Sequence, residues 1–236
     1  MKSRLVRWVH FCVRPAEYWR RTLGWIDLRV ILFGATGMLG QEVLRECLAD
    51  SDVKTGLFIG RRETGKQDAK LTDMFALEEL GSKLDGLDVC LYCLGMTSFR
   101  MFKKDYRRLT VDLTVSIGET LLRHNPGMRF HFLSGTGTDS TGTSSQMWAR
   151  VKGEAENALP RRPFGAVMND SGPRTGWMRL LYGVTDPFFP VMKALIPRHV
   201  STTEELGRAM LSVAKHGFGR PILENWDFGK AVVQKT

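Results

Sequence analysis

The strongest chemical signal in this chain of 236 residues is a glycine-punctuated segment, RVILFGATGMLGQEVLRECL. An apolar run meets Gly34, Gly37 and Gly40 and passes directly into an amphipathic stretch. Glycines at such a junction let the backbone turn tightly and approach a ligand closely, while the helix start that follows offers unpaired N–H groups and the positive end of its dipole. The combination suits a pyrophosphate, with Gly34, Thr36, Gly37, Met38, Leu39 and Gly40 as the candidate lining. Cys90 and Cys93 form a C-x-x-C pair, but they fall in LDVCLYCLG, an apolar run that reads as a buried strand. Strand side chains three apart point to opposite faces, so these thiols do not converge as a redox or zinc pair. The histidines at 10, 124, 131, 199 and 216 never fall at a metal-ligand spacing, so no metal site is expected. Cysteines 12, 47, 90 and 93 are too scattered for a disulfide framework, which points to a reducing, cytoplasmic setting.

The elements that must hold the glycine turn follow from the alternation of short apolar runs with amphipathic segments. Strands are predicted at 28–33, 55–60, 88–95, 129–134 and 164–168, with helices between them at 38–49, 76–84, 103–124 and 146–159. A last helix is signalled in STTEELGRAMLSVAKHG, where Ser201 or Thr202 can cap the first turn with Glu204 or Glu205 three residues on, and Gly217 ends it. The pattern predicts an α/β fold, a doubly wound parallel sheet with helices on both faces. One domain is expected over 28–236, with a small substrate or lid region from about 165 onward and a separate extension at 1–27. Within that region LYGVTDPFFPVMKALIP reads as a pocket lid or a homodimer surface, and its three prolines argue against one continuous helix.

The spacing G-A-T-G-M-L-G, in this strand–turn–helix setting, resembles that of extended and atypical short-chain dehydrogenase/reductases. These include the NAD-dependent epimerase/dehydratases and NmrA-like proteins, and the resemblance implies a Rossmann-type fold. About twenty residues on, at the end of the second strand, such sites place an acidic residue for a ribose 2′-hydroxyl or a basic one for a 2′-phosphate. This chain has Gly60, Arg61 and Arg62 there, which favours NADP(H) over NAD(H). Asp73 in KLTDMF resembles the family's acidic residue beside the adenine, and LYCLGMTS resembles the fourth-strand end whose Gly95 flanks the cofactor. With the helix DYRRLTVDLTVSIGETLLR, the turn LSGTGTDS and the helix start ARVKGEAENAL, the likeness covers roughly 28–160 and resumes at TTEELGRAML.

In that family a Ser or Thr after the fifth strand orients the substrate, and a Tyr-x-x-x-Lys helix exchanges the proton and holds the nicotinamide ribose. The resemblance therefore assigns the hydroxyl to Ser134 or Thr136 and the lysine to Lys152, whose Gly153–Glu154 continuation sets the register. The tyrosine position is Trp148. An indole N–H donates a hydrogen bond but exchanges no proton near neutral pH, so the family's acid/base group is missing. Tyr106 and Tyr182 are the alternative donors. After FGAVM the chain runs NDSGPRTGWMRLLYG where the family has an Arg-Pro-Gly passage, so no substrate contact carries over there. Two functions stay open: an NADP-dependent oxidoreductase or epimerase-like enzyme acting on a small carbonyl or alcohol, and a non-catalytic NADP(H)-binding redox sensor.

A formal net charge of +9 suits an anionic partner without naming it. Arginines 4, 7, 14, 20 and 21, interleaved with Trp8, Phe11, Tyr18, Trp19 and Trp25, concentrate much of the excess in the first 27 residues. Such an arm suits contact with an anionic membrane, packing across the domain or an over-extended start codon, with peripheral membrane contact the less favoured. No nucleic-acid reading motif is recognisable, so no specific nucleic acid is expected. No apolar run approaches the roughly 18 residues that a spanning helix needs, and the opening segment lacks the small-residue cleavage site of a signal peptide.

Overall fold

Six consecutive residues, Leu28–Phe33, form β1, and all but Arg29 are buried, which is the signature of a strand covered on both faces. The structure, a computed structural model, describes residues 28–74, 81–135, 137–159, 166–168, 202–218, 222–223 and 225–233. Around β1 lie β2 (Val53–Ile59), β3 (Leu71–Met74), β4 (Val89–Tyr92), β5 (Arg129–Leu133), β6 (Ala166–Met168) and β7 (Ile222–Leu223). They form one seven-stranded sheet in the order β3-β2-β1-β4-β5-β6-β7, and each pairing is parallel.

Period-two alternation divides the strand side chains between two apolar layers. Val30, Leu32, Val89 and Leu91 face α1 (Met38–Ala49), α5 (Thr203–His216) and α6 (Asn225–Val233). Ile31, Phe33, Cys90 and Tyr92 face α3 (Leu113–His124) and α4 (Met147–Ala158). The doubly wound α/β architecture expected from the sequence is thus the one observed. Cys90 and Cys93 diverge accordingly: Cys90 is buried among the aromatic residues of one layer, where burial pushes its thiol pKa up. Cys93 lies 3.8 Å from the Met210 sulfur on the other side.

Several elements differ from the sequence expectation. The fourth strand ends at Tyr92 rather than at 95, because the Cys93 N–H makes its last bond to Phe33 O at 2.9 Å and the following residues peel away from the sheet. Residues 75–80 lie outside the described residues, and Gly81–Leu84 forms a 3-10 turn in place of the end of the helix expected at 76–84. The long helix at 103–124 is interrupted: α2 (Lys103–Arg107) leads into a π turn, Arg108–Asp112, before α3. There the buried Thr114 hydroxyl reaches Thr110 O at 2.8 Å and sits 3.0 Å from the Tyr92 hydroxyl. A side-chain hydroxyl inserted beside the helix ladder is a recognised cause of such irregularity.

The last predicted helix has the expected signals. Thr202 is its cap, with Glu205 N donating to Thr202 Oγ1 and Thr202 N donating to Glu205 Oε2, each at 3.0 Å. Gly217 closes it at φ 73°. Near that end Lys215, almost fully buried, holds Asp50 at 2.9 Å and also pairs with Asp52, joining α5 to the α1–β2 turn. Burial lowers the Lys215 pKa, but the two carboxylates outweigh it and the net shift is upward. Among the described residues no helix is long and apolar enough to cross a membrane. The extension at 1–27, Tyr182 and the segment 181–197 lie outside the described residues.

Candidate functional site

The chain leaves β3 and returns across β1 to begin β4, so β1 and β4 are neighbours whose connections run to opposite sides. A crevice opens at the carboxyl ends of such a strand pair, and it is the usual ligand position in parallel sheets. Gly34 is the first residue past β1. It sits at φ +82°, and a Cβ there would meet Cys93 O at 2.8 Å and Leu94 N at 3.0 Å. Gly37 N donates to Gly34 O at 2.9 Å to close the turn. Gly40, in the first turn of α1, presses on the same carbonyl so closely that a Cβ would lie 2.0 Å from Gly34 O. The loop and the helix start are therefore in backbone contact. The helix N-cap is Gly37, with no side-chain capping bond and no acidic residue in the first turn. Such a cradle, bare of side chains and aligned with the positive end of a helix, fits a phosphate-bearing ligand. Around it Thr36 O accepts from Gln41 Nε2 at 3.3 Å, Met38 is partly exposed and Leu39 is buried.

Arg61 and Arg62 follow β2 on the same edge of the sheet, and both are exposed. Asp73 lies on β3 beside them. Its Oδ2 accepts from Thr64 N at 3.1 Å and from Thr64 Oγ1 at 2.9 Å, so this carboxylate ties the loop that carries the arginines to the sheet. Gly95 is exposed just beyond β4.

On the far side of β4, β5 delivers Ser134, which is completely buried, with its Oγ 3.2 Å from Thr138 Oγ1. Thr138 in turn donates to Gly135 O at 2.5 Å. Thr136 lies outside the described residues. On α4, Trp148 and Lys152 are one turn apart and so share a face. Trp148 is half-buried, its ring tip 3.4 Å from where a Cβ on Gly137 would stand, and Lys152 is buried at 3% exposure. Gly153 fixes this register physically, since a Cβ there would lie 2.0 Å from Asp139 O. Tyr106, an alternative proton donor on sequence grounds, is 2% exposed within the apolar layer beneath α2, a packing position.

Sequence reasoning missed Thr138 and Asp139. The hydroxyl-rich composition of SGTGTDSTGTSSQ was the available signal, because short polar side chains hold irregular loops through bonds to nearby backbone. Asp139 accepts from Thr141 Oγ1 at 2.5 Å and from Ser144 N at 2.5 Å, which pulls its pKa down to about 2. A cavity of about 790 Å³ lies on the outer side of this loop, between the π turn and α4. Within its charged lining Arg107 forks onto Glu154 at 2.8 Å and reaches Asp112 at 2.7 Å. None of the glycine loop, Arg61, Arg62, Ser134, Trp148 or Lys152 lines it.

No model of a protein family matches the chain. Over 142 residues it is 30% identical to Protein HTATIP2 of Rattus norvegicus, a stretch covering 57% of this chain and 57% of that protein. The likeness thus spans little more than half of that relative's length. Among solved structures, a thiolation-reductase di-domain from an archaeal non-ribosomal peptide synthetase is similar at a TM-score of 0.61 and 11% identity, covering 84% of this chain and 71% of that one. A short-chain dehydrogenase/reductase superfamily protein from Agrobacterium tumefaciens with bound NAD is similar at 0.57 and 10%, covering 87% and 81%. The enzyme WbmF of Bordetella bronchiseptica, in complex with NADH, is similar at 0.57 and 12%, covering 90% and 79%. At such identities the structural likeness carries the fold.

Proposed function

We propose that this chain is a member of the extended short-chain dehydrogenase/reductase, NAD-dependent epimerase-like superfamily, that it binds NADP(H) in the β1/β4 crevice, and that it acts as an oxidoreductase or epimerase-like enzyme on a small carbonyl or alcohol. The fold and the partial likeness to Protein HTATIP2 support this reading. The observation that carries this reading is the contact of Gly40 with Gly34 O, which leaves a bare backbone cradle at the start of α1. Gly34, Gly37 and Gly40, with the amides of Thr36, Met38 and Leu39, hold the pyrophosphate in this reading. Arg61 and Arg62 meet the 2′-phosphate as planar, permanently charged donors. Asp73 holds their loop through Thr64. Gly95 leaves room beside the ring, and Lys152 holds the nicotinamide ribose. The bound nicotinamide would supply a hydride. Ser134 and Thr136 are the hydroxyls that orient the substrate oxygen, Ser134 being steadied by Thr138.

Trp148 favours a second reading, in which the cofactor is bound without turnover and reports redox state through a protein contact. The indole holds the place of a phenol and exchanges no proton. NADPH oxidation followed with a panel of aldehydes, ketones and quinones, for the wild type and for Trp148→Tyr, separates the two. General acid/base catalysis contributes roughly 100- to 10,000-fold, so a phenol restored beside Lys152 should raise a weak rate by that order. Brisk wild-type turnover rules out the sensor reading. A rate gained only by the variant supports it.

A further inference from the structure

From the end of β4 into the first turn of α2 the segment LGMTSFRMFKK carries five large apolar side chains and three cations, and the next residue is Asp105. Phe99 is 70% exposed and Phe102 82% exposed, far beyond any other large apolar side chain among the described residues. The loop that holds them is built rather than frayed. Met101, between the two rings, packs against the core, its N–H donates to Ser98 O at 3.1 Å, and Phe99 N donates to Thr97 Oγ1 at 3.2 Å. Arg100 takes φ 58°, a conformation a non-glycine residue adopts only when its surroundings impose it, and its guanidinium lies 5.2 Å over the Phe99 ring. Met101 therefore anchors the turn inward while Phe99 and Phe102 point out.

Rings that stand free of the surface do not line a hollow for a small molecule. They suit a partner into which they can insert. Around them Arg100, Lys103, Lys104 and Arg108 are exposed and outnumber the exposed carboxylate of Asp105 four to one, and the chain as a whole carries +9. Aromatic side chains next to a ring of cations match the interface of an anionic bilayer, where rings sit below the headgroups and ammonium or guanidinium groups meet the phosphates. We infer that the Phe99–Lys104 turn is a docking site for an anionic lipid surface, with Phe99 and Phe102 inserting among the acyl chains. This contact is separate from the arm at 1–27 and rests on the exposed rings, not on the cofactor reading. Because the turn leaves the same sheet edge as the crevice, a chain so docked would face the membrane with the end of β4.

Sedimentation of the full chain with vesicles tests it, using phosphatidylcholine alone and phosphatidylcholine mixed with phosphatidylserine. The wild type should partition to the mixed vesicles and release as salt is raised. Phe99→Ser with Phe102→Ser should weaken partitioning by roughly 10- to 100-fold, and Arg100→Gln, Lys103→Gln and Lys104→Gln together by roughly 100-fold at low salt. Removing residues 1–25 should leave most of the binding in place. These side chains are exposed, so circular dichroism should report unchanged folding. If the double phenylalanine variant is unstable, Phe102→Ser alone and the charge variant carry the same test. Absence of wild-type partitioning, equal binding to both vesicles, or partitioning unaffected by the phenylalanine variant overturns the inference. So would self-association that vanishes in the phenylalanine variant without any vesicle binding, which would make a second copy of the chain the occupant.

Discussion

Gly40→Ala probes the cradle through a single methyl group. The added carbon would stand 2.0 Å from Gly34 O, whereas a carbon rests against a carbonyl oxygen at about 3.3 Å or more. The helix start must therefore separate from the loop by about 1.3 Å, and the loop has little room to yield. Gly34 is itself pressed on its other side against the Cys93 backbone, where a Cβ would meet the carbonyl at 2.8 Å. Overpacking costs about 1–3 kcal/mol, and because both partners are backbone the upper part of that range is expected. The same displacement lengthens the bonds from the first amides of α1 to a bound pyrophosphate. Loss of one charge-assisted bond, about 1.5–3 kcal/mol, weakens NADPH roughly 10- to 150-fold. Gly142→Ala is the control, since that glycine has φ +75° with nothing within 4 Å. It should cost about 1–2 kcal/mol of backbone strain and leave NADPH affinity unchanged. Urea unfolding and calorimetric titration of both variants read the two effects. A Gly40→Ala protein with wild-type stability and affinity would refute the contact as the basis of the site.

His131 is buried with neither ring nitrogen bonded, and burial, reinforced by Arg129, depresses its pKa to about 3. An unfolded histidine titrates near 6.5, so between about 6.5 and 3 the unfolded chain binds more protons. Stability is then fully present above 6.5 and is lost as pH falls, by at most about 4–5 kcal/mol. His131→Leu should remove that part of the acid sensitivity, and urea midpoints that fall in parallel for variant and wild type from pH 7 to pH 4 would reject the assignment. Lys215→Met leaves Asp50 and Asp52 without their shared cation and should cost about 2–4 kcal/mol. Calorimetric melting checks it, and an unshifted midpoint would show that α5 is held by its apolar face alone.

How much of this was legible in the residues depended on burial. The run LRVILF and the glycines after it were read to their observed ends, because a central strand is apolar throughout and glycine punctuates sharply. Edge elements gave no such signal. Leu71–Met74 is a four-residue strand of mostly half-buried side chains with no period to read, so Asp73 was named as a site candidate by resemblance while its strand was not. Ile222–Leu223 is shorter still, and α6 after it carries Gly229 within a nine-residue helix. The π turn was hidden because its apolar residues still suit a helical face. In the candidate site, Trp148 and Lys152 were fixed by their spacing, but the reason for Gly153 became visible only with Asp139 O against it. The bonds of Thr138 and Asp139 link residues through a loop conformation that no periodicity encodes.

The central claim is that the crevice takes a nicotinamide dinucleotide and distinguishes the phosphorylated form. Calorimetric titration of the wild type and of Arg61→Ala with Arg62→Ala, each with NADPH and NADH, tests it most directly. The account predicts tighter binding of NADPH by the wild type, and a loss of about 1.5–3 kcal/mol per arginine contact for NADPH in the double variant with NADH nearly unaffected. Failure of the wild type to bind either cofactor, or equal losses for both in the variant, would contradict it.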